Sequence, residues 1–451
     1  MERLENEKIS KLLLSFSIPA IIGMMINALY NIVDRIFVGH GVGAEAITAI
    51  TICFPVMIVG LAFGLLIGIG ATALISIRMG EKREEEAEKI FGNAIILTII
   101  VSLLLTVIGF IFLNPILYLM GAKGEVFILA KKFMIIILIG ILPQTFAMAM
   151  NSIIRGEGNP KMAMATMILG AFLNTVLNPI FIFVFKMGIS GSALATLISM
   201  SASSIWVWVY FRSNKSHLKI KRKNLVLNKS IVKSILMIGS SPFAVQIGSS
   251  VIMFISNKQI LKYGNESDVA VLGIVFSVIM LVIMPVLGLS QGAQPIIGYN
   301  YGAKKFDRVK KTLYISIIYT SIISLIGFII AMVFPEVIMS VFVKDENIIK
   351  KGEFVVRVLM ITLPFAGIQI IGANYFLYIG KPKKAIFLTS TRQIIILLPL
   401  LMVLPVFWGL NGVWLATPIS DLISFGITTF VLLKEMKNIK INSVKNLIQI
   451  E

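Results

Sequence analysis

Eleven stretches of this chain, each 22 to 35 residues long, contain no Asp, Glu, Lys or Arg: 12–33, 46–77, 90–122, 133–154, 162–185, 187–211, 234–257, 269–303, 312–335, 358–380 and 393–420. A helix needs roughly 20 apolar residues to cross a bilayer. Inside the bilayer the backbone must satisfy its own hydrogen bonds, so such runs fold as helices. The last stretch continues to about residue 433 with Asp421 as its one charge, and Gly409 and Asn411 break it near the middle, so it reads as two spans. That makes twelve. Composition agrees: 57% of the 451 residues are hydrophobic and 14% charged, against about 25% charged in a soluble domain. A soluble enzyme, a disordered chain and a disulfide-rich secreted module are excluded. The expected fold class is an all-α polytopic membrane protein.

The charges that remain fall between the spans and set orientation. With the N-terminus inside, the cytoplasmic segments carry 29 Lys and Arg and the outer loops 9. This is the positive-inside pattern, and it predicts that both termini are cytoplasmic, in the inner (plasma) membrane. The opening MERLENEKISK mixes both signs and lacks a short apolar region with a cleavage site, so it reads as an uncleaved lead-in. The net charge of +19 is therefore a topology signal, with no nucleic-acid partner implied. One cysteine, Cys53, and two histidines, His40 and His217, supply neither a disulfide nor a metal-binding cluster. No metal or cofactor is expected.

The two halves repeat. Gly80 and Gly302, Gly158 and Gly380, and Pro160 and Pro382 are each 222 residues apart. Pro19 and Pro242 differ by 223, and GISGSALAT at 188–196 matches GLNGVWLAT at 409–417 at an offset of 221. Ordered matches at a nearly constant offset point to duplication. Each copy holds six spans, an even number, so both enter the membrane in the same sense, related by a pseudo-two-fold along the membrane normal. The predicted organisation is a lead-in at 1–11, a six-helix bundle at 12–211, a basic linker at 212–233, a second bundle at 234–433 and a tail at 434–451. A monomer within the lipid bilayer is expected.

Polar groups inside spans are costly and mark function. Asn27, Tyr30, Asn31 and Asp34 fall at i, i+3, i+4 and i+7, one polar face of span 1. Span 5 aligns Thr166, Gly170, Asn174 and Asn178 in steps of four, with Pro179 next; span 6 aligns Ser192, Thr196, Ser199 and Ser203 on one face. At 1.5 Å per residue, Asn178 and Thr196 lie roughly 12–13 Å below the outer surface and Asp34 roughly 6 Å. One shared pocket is feasible. Gln144, Met148 and Asn151 in span 4, and Gln246, Gln291, Gln369 and Asn374 in the second half, are neutral or soft groups suited to an amphipathic ligand. The second half has no repeat partner for Asp34; an offset of 223 lands on Asn257. Its own intramembrane charges, Arg392 and Asp421, fall at similar depth and are expected to form a structural ion pair.

At these residues the chain resembles the MATE (multidrug and toxic compound extrusion) family, in its MepA-like branch. The segments that carry the likeness are IPAIIGMMINALYNIVDRIFVGHGVG, NSIIRGEGNPKMAM, FLNTVLNPIFIF, GLSQGAQPIIGYNYGAKKFDRVK and GVWLATPISDLIS. The resemblance implies two six-helix bundles and cation-coupled export of amphipathic, often cationic compounds. It assigns Asp34 as the coupling carboxylate, with Asn174 and Thr196 as polar partners and Tyr30 and Asn151 lining the pocket. The family's FLNxxLDP pattern has an acid where this chain has Asn178, which leaves Asp34 as the only acid there. With a single carboxylate the reading favours H+ over Na+, for which Asp34, Asn174, Asn178 and Thr196 would be oxygen ligands. A lipid-linked precursor flippase of similar shape is the alternative; it would need several basic residues in its cavity, and Arg392 is the only deep one. An intramembrane enzyme would need a catalytic set that no span holds, and a channel fits the single-acid pocket less well.

Overall fold

The computed structural model describes residues 2–343 and 345–448; within these, the side chains of residues 2, 31, 32, 35, 44, 266 and 438–448 lie outside what it describes. Its helices are α1 (Glu2–Asn6), α2 (Ile9–Gly41), α3 (Ala44–Gly80), α4 (Glu84–Ile111), α5 (Leu113–Leu119), α6 (Gly124–Gly156), α7 (Pro160–Pro179) and α8 (Ile189–Arg212). The second half holds α9 (Lys229–Tyr263), α10 (Glu266–Gly302), α11 (Phe306–Val333), α12 (Pro335–Phe342), α13 (Glu346–Met360), α14 (Leu363–Tyr378), α15 (Pro382–Ser390) and α16 (Leu398–Ile448). No strand occurs among the described residues.

Ten of these helical segments are long and apolar enough to cross a membrane, and α13 with α14, bent by 43° at their junction, make an eleventh as one broken span. The segment 382–437, at 56 residues, far exceeds one crossing. It is kinked at Gly409, whose φ of 55° and ψ of −138° are open only to a residue without Cβ. Read as two crossings, it brings the spans to twelve. Their outer faces carry large apolar side chains that packing leaves open, among them Phe254, Val184 and Phe407, each at least 70% exposed. Lipid is the medium for which such a surface costs nothing.

The duplication is written in the backbone. Lys82 and Lys304, both at φ near 60°, follow α3 and α10 at the same offset of 222. Each pair of bonds around them recurs as well: Arg83 N–H donates to Arg78 O as Lys305 N–H does to Asn300 O. Gly158 and Gly380 are left-handed, with Asn159 N–H to Ile154 O answered by Lys381 N–H to Phe376 O. These are six-residue helix closures in which the left-handed residue turns the chain so that free carbonyls are met. Gly188 and Gly409 share the same unusual dihedrals, φ 58° and 55°, both with ψ −138°.

The chain divides into two compact units. One is Ile22–Phe243; the other joins Glu2–Ile21 to the chain from Ala244 onward. The linker 212–233 thus belongs to the first unit. Each leading half-helix is exchanged: α2 begins in the second unit and α9 in the first. The crossover points, after Ile21 and after Phe243, are again 222 residues apart and lie next to Pro19 and Pro242. Close backbone approach seats both half-helices. A Cβ on Gly239 of α9 would stand 1.7 Å from Leu66 O of α3, and one on Gly292 of α10 would stand 2.4 Å from Ser17 Oγ of α2. Small residues are what permit helices to pack this closely in lipid.

Each unit has its own apolar core. Val38, Cys53, Phe133, Ile137 and Ala193 belong to the first; Ile260, Val275, Val356, Leu401 and Trp414 belong to the second. Each unit also ties the loop after its fourth span to the end of its sixth through a buried carboxylate. In the first, Glu157, 1% exposed, accepts from Tyr210 Oη, from Ser216 Oγ at 2.8 Å and from the backbone N–H of His217 and Leu218 at 3.2 and 3.1 Å. In the second, Glu435 accepts from Lys381 and, at 2.6 Å, from Lys384.

Candidate functional site

Asp34 projects from α2 toward α7 and α8. Asn178 Nδ2 donates to its Oδ1, and Ser192 Oγ donates to the same oxygen at 3.3 Å. Alongside, Asn174 Nδ2 donates to Thr196 Oγ1 at 3.2 Å. Asn174, Asn178, Ser192 and Thr196 are all at most 8% exposed. The i, i+4 spacing on α7 and on α8 puts each pair on one face, and those faces meet here. Pro179 lacks an N–H and cannot continue the α-helical ladder; a π-helical turn, Ile180–Val184, follows it. Such turns often mark functional sites, and this one ends α7 immediately after Asn178.

The partners of Asp34 named here, Asn178 and Ser192, are neutral dipoles. Asn178 is fully buried and its Oδ1 has no hydrogen-bond partner among the described residues. A buried carbonyl oxygen left unpaired costs about 1–3 kcal/mol. That oxygen, on the residue bonded to Asp34, can accept a hydrogen bond. Ser192 is the residue that the sequence reading left out of this set. It shares a face with Thr196, and that spacing was the signal available.

The second unit also places two charges together. Arg392 Nε donates to Asp421 Oδ1 at 2.7 Å, Thr362 Oγ1 donates to Asp421 Oδ2 at 3.1 Å, and Ser420 Oγ donates to Arg392 O at 2.7 Å. Arg392 lies in a second π-helical stretch, Thr391–Leu397. Pro399, just beyond it, has no N–H for the carbonyl of Ile395. Thr362 sits at the break between α13 and α14. Asp421 therefore joins three spans.

The other named residues are dispersed. Tyr30 is half-buried on the Asp34 face, and Asn31 is among the side chains not described. Gln144 and Met148 face α3, where a Cβ on Gly60 would meet Gln144 Oε1 at 3.2 Å and one on Gly64 would meet Met148 Cβ at 3.0 Å. Asn151 is occupied elsewhere: it donates to Ala163 O at 2.8 Å and accepts from Arg155 at 2.6 Å. In the second unit Asn374 donates to Ser290 Oγ at 3.0 Å. Gln369 is buried, with Nε2 unpartnered among the described residues. Gln246 and Gln291 are half-buried.

The fold is that of a polytopic helical membrane protein whose two halves repeat, and comparison places it. The MatE family model matches residues 19–180 and 243–403. The chain belongs to the MatE family. It is 25% identical over 447 residues to the multidrug export protein MepA of Staphylococcus haemolyticus, covering 99% of this chain and 98% of that one. The MepA of Staphylococcus aureus is 26% identical over 409 residues, 91% of this chain and 90% of that one. Among solved structures, one described as MATE in the bent conformation superposes with a TM-score of 0.92 at 27% identity, covering 98% of both chains. Another, described as the outward-facing conformation of a multidrug resistance MATE family transporter, gives 0.91 at 27% identity, covering 97% of this chain and 98% of that one.

Proposed function

We propose that this protein exports amphipathic, often cationic small molecules from the cytoplasm in exchange for a cation, H+ in preference to Na+. The observation that carries the reading is the Asp34 group: a carboxylate on a membrane span, bonded by Asn178 and Ser192, with a buried acceptor oxygen on Asn178 beside it. A carboxyl carries either a negative charge or a proton, so a cation that loads at Asp34 changes which bonds its oxygens can make. Uptake of a proton turns Asp34 from an acceptor into a donor, and Asn178 Oδ1 is the acceptor at hand. The bonds between α2 and α7 then rearrange. α2 carries Pro19 inside its helix, and a proline leaves a bend where such a rearrangement can be absorbed. Export follows by alternating access, with the outward-open form releasing the drug as the cation enters.

The family and the two MepA relatives, which are multidrug export proteins, support the class of substrate. Similar proteins solved in bent and straight conformations, with TM-scores of 0.92 and 0.91 to this chain, support a carrier with two states. The reading puts the protein in the plasma membrane with both termini cytoplasmic.

The test is dye efflux from proteoliposomes with proton and sodium gradients imposed separately. A proton gradient alone should drive efflux, and Asp34→Asn should abolish it. Efflux driven by sodium and indifferent to protons would reverse the ion assignment. Full gradient-driven efflux by Asp34→Asn would remove Asp34 from the coupling role.

A further inference from the structure

Lys381 caps α15, Lys383 and Lys384 lie in its first turn, and Lys434 follows Phe430 and Val431 on α16. Between the two helices lies an open cavity of about 410 Å³ lined by Lys383, Lys384, Phe387, Phe430, Val431 and Lys434. Three cations face three apolar side chains, and no acid lines the space. Phe387 is 50% and Phe430 69% exposed, so the apolar wall is open and not spent on packing. The nearby acid, Glu435, is 2% exposed and already holds Lys381 and Lys384. That bond fixes Lys384, whose Nζ also lies 5.4 Å from the Phe376 ring centroid. Lys383 and Lys434 have no ion pair among the described residues. The first turn of α15 adds backbone N–H groups without helical partners, at Lys383 and Lys384.

We propose that this cavity binds an anionic glycerophospholipid, its phosphate among the three lysines and its acyl chains along Phe387, Phe430 and Val431. The cavity lies at the lysine-rich ends of the last two spans, where a membrane presents headgroup and hydrocarbon side by side. Basic pockets between spanning helices suit acidic headgroups, and apolar side chains beside them suit the chains that follow. The repeat supplies a contrast. At an offset of 222, Lys161, Trp208 and Arg212 occupy the places of Lys383, Phe430 and Lys434, but Met162 stands where Lys384 would be. Arg212 is already seated over the Trp208 ring at 5.2 Å. The first unit thus keeps the interfacial cations and loses the three-lysine cradle, so one site per chain is assigned. The proposal does not depend on the transport reading or on which ion is coupled.

The experiment uses the purified full-length protein in a neutral detergent, with native mass spectrometry to count bound lipid and thermal unfolding to read its effect. Phosphatidylglycerol should be retained and should raise the unfolding temperature, with phosphatidylcholine doing neither. At about fivefold per lysine near an anionic group, Lys383→Gln with Lys434→Gln should weaken phosphatidylglycerol binding roughly tenfold or more. The exposed linker pair Lys215→Gln with Lys223→Gln should leave it unchanged. Phe387→Ala with Phe430→Ala should weaken the lipid but not soluble glycerol phosphate. Unchanged phosphatidylglycerol binding in the lysine variant, or equal loss in the linker variant, would mean a generic charged annulus and overturn the site. Glycerol phosphate binding as tightly as the lipid would make it a free-phosphate site and overturn the lipid assignment.

Discussion

Asp34 and Asp421 are carboxylates on membrane spans, one in each unit, and their surroundings differ in kind. The donors on Asp34 named above, an amide and a hydroxyl, are neutral dipoles. Asp421 sits 2.7 Å from the guanidinium of Arg392, with Thr362 on its other oxygen. A neutral donor permits a carboxylate to change charge, because the donor itself carries no charge to be left unbalanced when a proton arrives. A guanidinium does not, because protonating its partner strands a full positive charge in a low-dielectric interior. The two units share a repeat, yet their acids do not: the position 222 residues before Asp421 is Ser199, and that after Asp34 is Ser256. The two copies share the scaffold and differ in where their intramembrane charges stand.

The largest effect that could break this contrast is on coupling. Asp34→Asn should reduce gradient-driven efflux to the level of empty vesicles with the fold intact by thermal unfolding. Asp421→Asn should leave efflux responsive to the same gradient. The reverse outcome would assign the switch to the second unit. Next in size is stability. Asp421→Asn removes one partner of a half-buried pair and should cost about 2 kcal/mol, less than the ~3–5 kcal/mol of a fully buried pair because Arg392 is about a third exposed. Adding Arg392→Gln should recover part of that loss, since no unpaired charge remains. No recovery in the double variant would show that the pair is not a unit.

Much of this was legible in the sequence, for reasons that also mark where legibility stops. Charge-free windows give the spans because lipid penalises charge without regard to partner, and Gly409 betrays the break in the last segment because only glycine takes its dihedrals easily. The polar steps on α7 and α8 expose Asn174, Asn178 and Thr196. What stayed hidden depends on which faces meet. Ser192 reaches Asp34 only because of the rotation of α8 against α2, and no spacing encodes that. The exchange of residues 9–21 and 229–243 between units was invisible because an apolar half-helix reads alike whichever bundle covers it. Asn151 looked like a pocket residue, and only the fold shows its amide spent on Arg155 and Ala163.

A smaller difference between the units lies in their loop ties. Glu435 answers two lysines that are 39% and 45% exposed, so this tie is ionic and open to salt. Glu157 is held by neutral donors alone among its named partners, and burial keeps its carboxyl above the ordinary 4.5. A folded-state value above the unfolded one means that protonation favours the fold. That contribution is complete below about pH 4.5 and is lost as pH rises through the raised value. Thermal unfolding of the wild type should therefore lose ground to Glu157→Gln as pH climbs from 4.5 toward neutrality, with the two alike at the acid end. Glu435→Gln should instead flatten the dependence on salt, at a cost of about 1 kcal/mol at low ionic strength. A pH-independent difference between wild type and Glu157→Gln would remove the buried carboxylate as its source.

The smallest expected effect tests where the units should agree. Lys82 and Lys304 take left-handed conformations, φ 61° and 57°, at the ends of α3 and α10. A side chain with Cβ pays about 1–2 kcal/mol there, and glycine escapes that strain but gives up about 0.5–1 kcal/mol through the entropy of the unfolded chain. The balance for Lys82→Gly and for Lys304→Gly should each be a gain of about 0.5 kcal/mol, equal within error, read as a small rise in unfolding temperature. Equal gains would tie both closures to one inherited backbone. A gain at one site and a loss at the other would show that a lysine side chain has been recruited locally, and that the copies have diverged in their turns as they have in their carboxylates.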